Sequence, residues 1–132
     1  MKKTLLAVAL LTAALPASAQ NLAAAPDVAI ASTKLTRDFD GKWSVLIVTE
    51  QGTCDRAYRY PLLIENGYVL YGGKKNFTVS GEVYRGGDVI VTVSQGSQSA
   101  QGTGQLRGKY GMGTWAAPSG GCSGRWKADK RG

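Results

Sequence analysis

From Trp43 onward, apolar and polar residues alternate in short runs, each cut by a turn that carries glycine. A period of two marks a strand with one face buried and one in water. The runs predict strands at Trp43–Glu50, Tyr58–Ile64, Tyr68–Tyr71, Phe77–Tyr84, Val89–Ser94, Ser99–Leu106, Gly111–Ala117 and Cys122–Ala128. Between them stand Gln51-Gly52-Thr53, Glu65-Asn66-Gly67, Gly72-Gly73-Lys74-Lys75 and Arg85-Gly86-Gly87-Asp88. Asn-Gly is a strong hairpin dipeptide, because both residues accept positive φ. Eight strands at this close spacing are the pattern of an all-β barrel or sandwich. No segment carries the sustained 3.6-residue period of a core helix.

The alternation also assigns faces. In the last run Cys122, Trp126 and Ala128 share one face, and Ser123, Arg125, Lys127 and Asp129 the other. Phe77, Val79 and Val83 alternate with Thr78, Ser80 and Glu82. Tyr58, Tyr60, Leu62 and Ile64 face inward, with Arg59 and Pro61 outside. Pro61 lacks a backbone N–H, which weakens the case for one regular strand there. Tight turns between consecutive strands favour an up-and-down antiparallel meander, and closing it removes both unpaired edges. The expected fold is a small barrel of about eight strands, a size whose interior side chains can fill.

Upstream the pattern changes. Lys2 and Lys3, the apolar run Leu5–Leu15 and the small residues Ala17-Ser18-Ala19 form a secretory signal peptide over residues 1–19. The run is shorter than the roughly 20 residues of a membrane-spanning helix. Residues 20–37, Ala-rich at first and free of glycine, read as a flexible leader with a short helical turn near Thr33 to Arg37. Residues 38–132 form the barrel domain, periplasmic or secreted. In an oxidising compartment Cys54 and Cys122 are expected to form a disulfide. A closed barrel sets the last strand beside the first and so brings these two together.

The chain has 132 residues with 16 Lys and Arg against 9 Asp and Glu, a formal charge of +7. Without Lys2 and Lys3 the count is 14 against 9, or +5, so the exported part is itself basic. Histidine is absent. That excludes Ser-His and Cys-His couples, imidazole metal sites and a His proton relay.

The frame Gly41-Lys42-Trp43, Gly52-Thr53-Cys54, YRYPLLIENG (58–67), Tyr71-Gly72-Gly73, Gly81-Glu82-Val83, GQLRGKYGMGTW (104–115) and CSGRW (122–126) resembles a group of small secreted proteins of Gram-negative bacteria. Some of these carry the label of haem utilisation or adhesion. The resemblance covers Asp40 to Arg131 and implies secretion and a β-rich fold, with no catalytic residues to carry over. At the level of layout alone, the chain is similar to the small eight-stranded periplasmic inhibitors of secreted metalloproteases.

Candidate chemistry is sparse. Haem ligation would rest on Met112, a Tyr or, if reduced, a Cys, without the usual His, so no cofactor is expected. Asp38-Phe39-Asp40-Gly41 starts like a calcium loop, but the Gly comes too early and residue 47 is Ile; no metal site is expected. Asp55, Glu65 and Asp88 sit at turns, Glu82 faces water, and Ser94, Ser97 and Ser99 have no base nearby. Asn76-Phe77-Thr78 fits a glycosylation sequon on a strand and is assigned no role. No enzyme is expected.

The basic residues carry the functional expectation. Lys42, Leu46 and Val48 point outward from the first strand, with Arg125 and Lys127 on one flank and Arg59 on the other. An apolar stripe framed by positive charge suits an anionic envelope component, a glycan or an acidic protein. The competing account has Val28 and Ile30 of the leader covering that stripe. Nucleic acid is not expected, because the aromatics beside the basic residues face inward and no RNA-recognition signature is present. The sequence therefore reads as a monomeric, non-enzymatic binding module. The alternatives are a periplasmic protease inhibitor acting through its leader and a carboxylate-dependent hydrolase.

Overall fold

A computed structural model of the chain describes residues 32–132; the expected signal peptide and all but the end of the expected leader lie outside the described residues. Eight strands follow in order: β1 (Gly41–Gln51), β2 (Ala57–Glu65), β3 (Tyr68–Tyr71), β4 (Thr78–Val83), β5 (Asp88–Gln95), β6 (Gln98–Arg107), β7 (Tyr110–Ala117) and β8 (Cys122–Lys130). Each strand pairs antiparallel with the next, and β8 pairs with β1, closing the barrel. The β1–β8 seam runs from Trp43↔Lys130 to Gln51↔Ser123, with a bulge between Thr49 and Gln51. The disulfide Cys54–Cys122 pins its upper end, the two Cα atoms 6.1 Å apart.

The weakest seam lies elsewhere. β3 has only four residues and pairs with β4 through a single position, Tyr68↔Glu82. Pro61 is accommodated beside it. Its carbonyl accepts from the Gly72 N–H at 2.9 Å, on the β3 side of β2. N–H and C=O of one strand residue point the same way, so the missing donor also falls on that side, where β3 has just ended.

Inside, packing follows the alternation. Trp43, Val45, Ile64, Val69, Val83, Val89, Leu106, Trp126 and Ala128 form the buried core. Trp126 explains the glycine-rich β6 and β7. A Cβ on Gly113 would lie 2.6 Å from its Nε1, and one on Gly104 would strike its ring. The glycines form a bed in which the indole lies, its Nε1–H shared between the carbonyls of Thr103 (3.1 Å) and Thr114 (3.2 Å). Trp115 reaches across Gly124 on β8 and donates to the Val48 carbonyl at 3.1 Å.

The lower end is closed by the chain entering β1. Leu35 bridges Tyr84, the Thr36 N–H donates to the Val83 carbonyl, and the Arg85 N–H donates to the Lys34 carbonyl. Lys34–Thr36, read from the sequence as leader, is thus hydrogen-bonded to the barrel through a bridge at Leu35 rather than a helical turn, and Arg37 opens the turn that leads to Asp40. Asp40 completes this end. Its Oδ2 and Oδ1 accept from the N–H groups of Asn66 (2.8 Å) and Gly67 (3.0 Å), whose φ values of 54° and 80° form the expected Asn-Gly turn.

The outward positions of β6, including Ser99, Gln101, Thr103, Gln105 and Arg107, are polar. On this strand the polar outer face is the reverse of the apolar outer face of a lipid-embedded strand. Among the described residues no helix is long and apolar enough to cross a membrane.

Candidate functional site

Strand register brings the sequence-selected surface residues together on one wall. Leu46 faces Arg59 on β2 and Lys127 on β8, and Lys127 faces Met112 on β7. Arg59, Leu46, Lys127 and Met112 therefore form one rung across four strands, with side chains outward. On the next rung Ser44 faces Asp129, which faces Tyr110. Tyr110 and Met112 are the most exposed large apolar side chains among the described residues, at 72% and 66%. Together with Leu46, Arg59, Lys127 and Asp129 they border a shallow cleft. Lys42 lies lower on β1 opposite Leu63, and is exposed.

Charge on this wall is uneven. The Arg125 Nε lies 3.0 Å from Glu50 Oε2, and the Arg131 Nε 2.9 Å from Asp129 Oδ2. Exposed pairs of this kind add little stability, but each offsets its own charge locally. Val48 and Arg125, neighbours in the register, thus sit at the neutralised upper margin. Arg59 donates to Ser44 Oγ at 3.1 Å and forms no ion pair among the described residues, nor does Lys127. The positive centre is therefore Arg59–Lys127, joined below by Lys42. Met112 and Tyr110, absent from the sequence-selected set, supply its apolar part; alternation along β7 could have found them, since their neighbours Gly111 and Gly113 face in. Val28 and Ile30, the proposed cover, lie outside the described residues.

The interior departs from expectation. Instead of being filled, the barrel holds a cavity of about 380 Å³. Below it Trp43, Val45, Ile64, Val69, Val89 and Leu106 are buried, whereas Ile47, Val91, Val93 and Ala100 above are only half-buried. The cavity thus opens towards the upper end. Its rim carries Thr49, Asp55, Tyr58, Gln95 and Gln98. The physical reason is residue size: β6 offers only Ala100 and Gly102 where the far wall would need large side chains. One side of the mouth is aromatic, with Tyr60 and Tyr71 packed edge-on to Phe77 at 5.0 Å and 5.5 Å between ring centres. Burial, then Tyr58, Tyr71 and Asp55 nearby, pushes the Tyr60 phenol up from its usual value. The Lys75 ammonium lies 3.3 Å from the Tyr58 hydroxyl and over its ring.

The remaining constellations have structural roles. The Asp40 carboxylate is occupied by the Asn66-Gly67 turn, and among the described residues no three His, Cys, Asp or Glu side chains are grouped to hold a metal. The three Trp N–H groups all donate to main-chain carbonyls, that of Trp43 to Phe39 at 2.8 Å. Compared with known protein families the chain matches none, and a search among curated proteins likewise finds no match.

Proposed function

We propose that the protein is an exported, non-enzymatic binding module whose β7–β8–β1–β2 wall lies against an anionic lipid surface of the bacterial envelope. One observation carries this reading: the rung Arg59–Leu46–Lys127–Met112 alternates cation and apolar side chain, with exposed Tyr110 beside it. Long basic side chains meet phosphate while their stems and the apolar residues rest at the headgroup level, and a Tyr suits that boundary. The disulfide fits export to an oxidising compartment.

The test uses residues 20–132 and vesicles of phosphatidylglycerol mixed into phosphatidylcholine, against phosphatidylcholine alone. A basic side chain near an anionic surface contributes roughly 1 kcal/mol. Arg59→Gln with Lys127→Gln should therefore weaken binding by about 2 kcal/mol, or about 30-fold. Arg125→Gln should matter far less, because Glu50 already offsets that charge. Binding should fade as added salt shortens the Debye length from about 10 Å to about 3 Å. Equal binding to neutral vesicles, or binding to a soluble polyanion but not to vesicles, overturns the lipid reading.

A further inference from the structure

We propose that the barrel interior is a second, independent binding site, a calyx for a slender uncharged amphiphile. The walls above the core are apolar and open to the mouth, among them Ile47, Val91, Val93 and Trp115. A wall that served stability alone would be covered, since exposed apolar area costs about 25 cal/mol per Å². At about 380 Å³ the space lies within the range of small-molecule sites. With ~30 Å³ for each water-sized group, it holds about a dozen non-hydrogen atoms.

Gly102 is the telling position. Of the inward glycines on β6 and β7, Gly104, Gly111 and Gly113 are required, because a Cβ there would collide with Trp126, Leu106 or main chain. A Cβ on Gly102 would meet nothing closer than 3.6 Å, and its φ is not positive. Neighbouring packing therefore does not demand glycine at this place, and Gly within a strand is itself destabilising. What its missing side chain preserves is the cavity, of which Gly102 is part of the wall.

The rim sets the ligand's polar end. Thr49, Tyr58, Gln95 and Gln98 are neutral and offer both donors and acceptors. Among the described residues Asp55 is the one charged side chain that lines the cavity, and Lys75, held on the Tyr58 hydroxyl, offsets it at the rim. Arg56 and Lys74 of the same two loops are not part of the wall, and the lining thus favours neither an ionised acid nor an amine. The ligand class is an aliphatic or aromatic body tipped by a hydroxyl or carbonyl.

1-Decanol serves as the probe, with decanoate as its charged counterpart, and methyl NMR reads where it binds. Leu46 and Ile47 are adjacent in sequence but face opposite sides of the wall, so location is unambiguous. The proposal expects saturable shifts at the methyls of Ile47, Val91 and Val93, with Leu46 and Val48 unmoved, and at least tenfold weaker binding of decanoate. Gly102→Leu should fold with a melting temperature no lower than that of the parent and bind decanol at least tenfold more weakly. Arg59→Gln with Lys127→Gln should leave decanol binding unchanged, which separates this site from the outer wall. Shifts at Leu46 and Val48, no saturable shift at all, tighter binding of decanoate, or undiminished binding by folded Gly102→Leu overturns it. Should Gly102→Leu not fold, the methyl map and the decanoate comparison on the unaltered chain decide alone.

Discussion

Replacing both Cys54 and Cys122 with serine isolates what the disulfide contributes. The link spans 68 positions and joins the β1–β2 loop to the start of β8. The two ends are already held in the native barrel by the β1–β8 ladder, whose register runs from Trp43 to Gln51 without help from sulfur. The link therefore acts chiefly on the unfolded chain, where it forbids the open conformations of a long loop. The chain-entropy relation for a loop of this size gives a loss of about 4 kcal/mol on its removal. With a urea slope of roughly 1–3 kcal/mol/M for a small domain, the midpoint should fall by about 2 M. The slope itself should steepen, because an uncrosslinked unfolded chain exposes more surface. Near-UV circular dichroism of the folded state should be unchanged, reporting three Trp side chains in the same surroundings. A loss under about 1 kcal/mol with an unaltered slope would refute the reasoning.

Two further substitutions probe the lower end and the mouth. Asp40→Ala removes a carboxylate that accepts from two turn N–H groups and should cost about 2 kcal/mol in urea unfolding, with Asp40→Asn costing less. Tyr60 has a folded pKa raised above its usual 10.0, first by burial and then by Tyr58, Tyr71 and Asp55. The folded state then holds this proton more tightly than the unfolded state, so the contribution of Tyr60 to stability is constant below pH 10 and falls as pH rises beyond it. Tyr60→Phe should remove that part of the alkaline loss, measured as unfolding midpoint against pH; an unchanged alkaline slope would rule out Tyr60 as its source.

Much of the fold was legible because a period of two is a physical constraint on a half-buried strand. Tyr58, Tyr60, Leu62 and Ile64 face in and Arg59 faces out, as their alternation requires. Asn66-Gly67 turns where its tolerance of positive φ predicts. The cavity was not legible, because alternation says which side of a strand a residue faces and nothing about how far it reaches across. Only the closed register shows that Ala100 and Gly102 form the wall of an interior otherwise lined by larger side chains. The neutralisation of Arg125 was hidden for a related reason: Glu50 comes within reach of it only through the pairing of β1 with β8 beside a bulge. The strap formed by Lys34–Thr36 is held by main-chain hydrogen bonds, which leave no mark in side-chain pattern.

The short β3 has a consequence for how the molecule breathes. Around most of the circumference the ribbons are laced along their length, and at the β1–β8 seam a sulfur link reinforces the stitching. Between β3 and β4 one paired position does that work, and above it four aromatic rings take the place of ladder bonds. Rings can slide past one another where a ladder must be broken rung by rung. Loosening of the wall should thus start on that flank, at the lip of the interior, before it reaches the face that carries Arg59, Leu46 and Lys127.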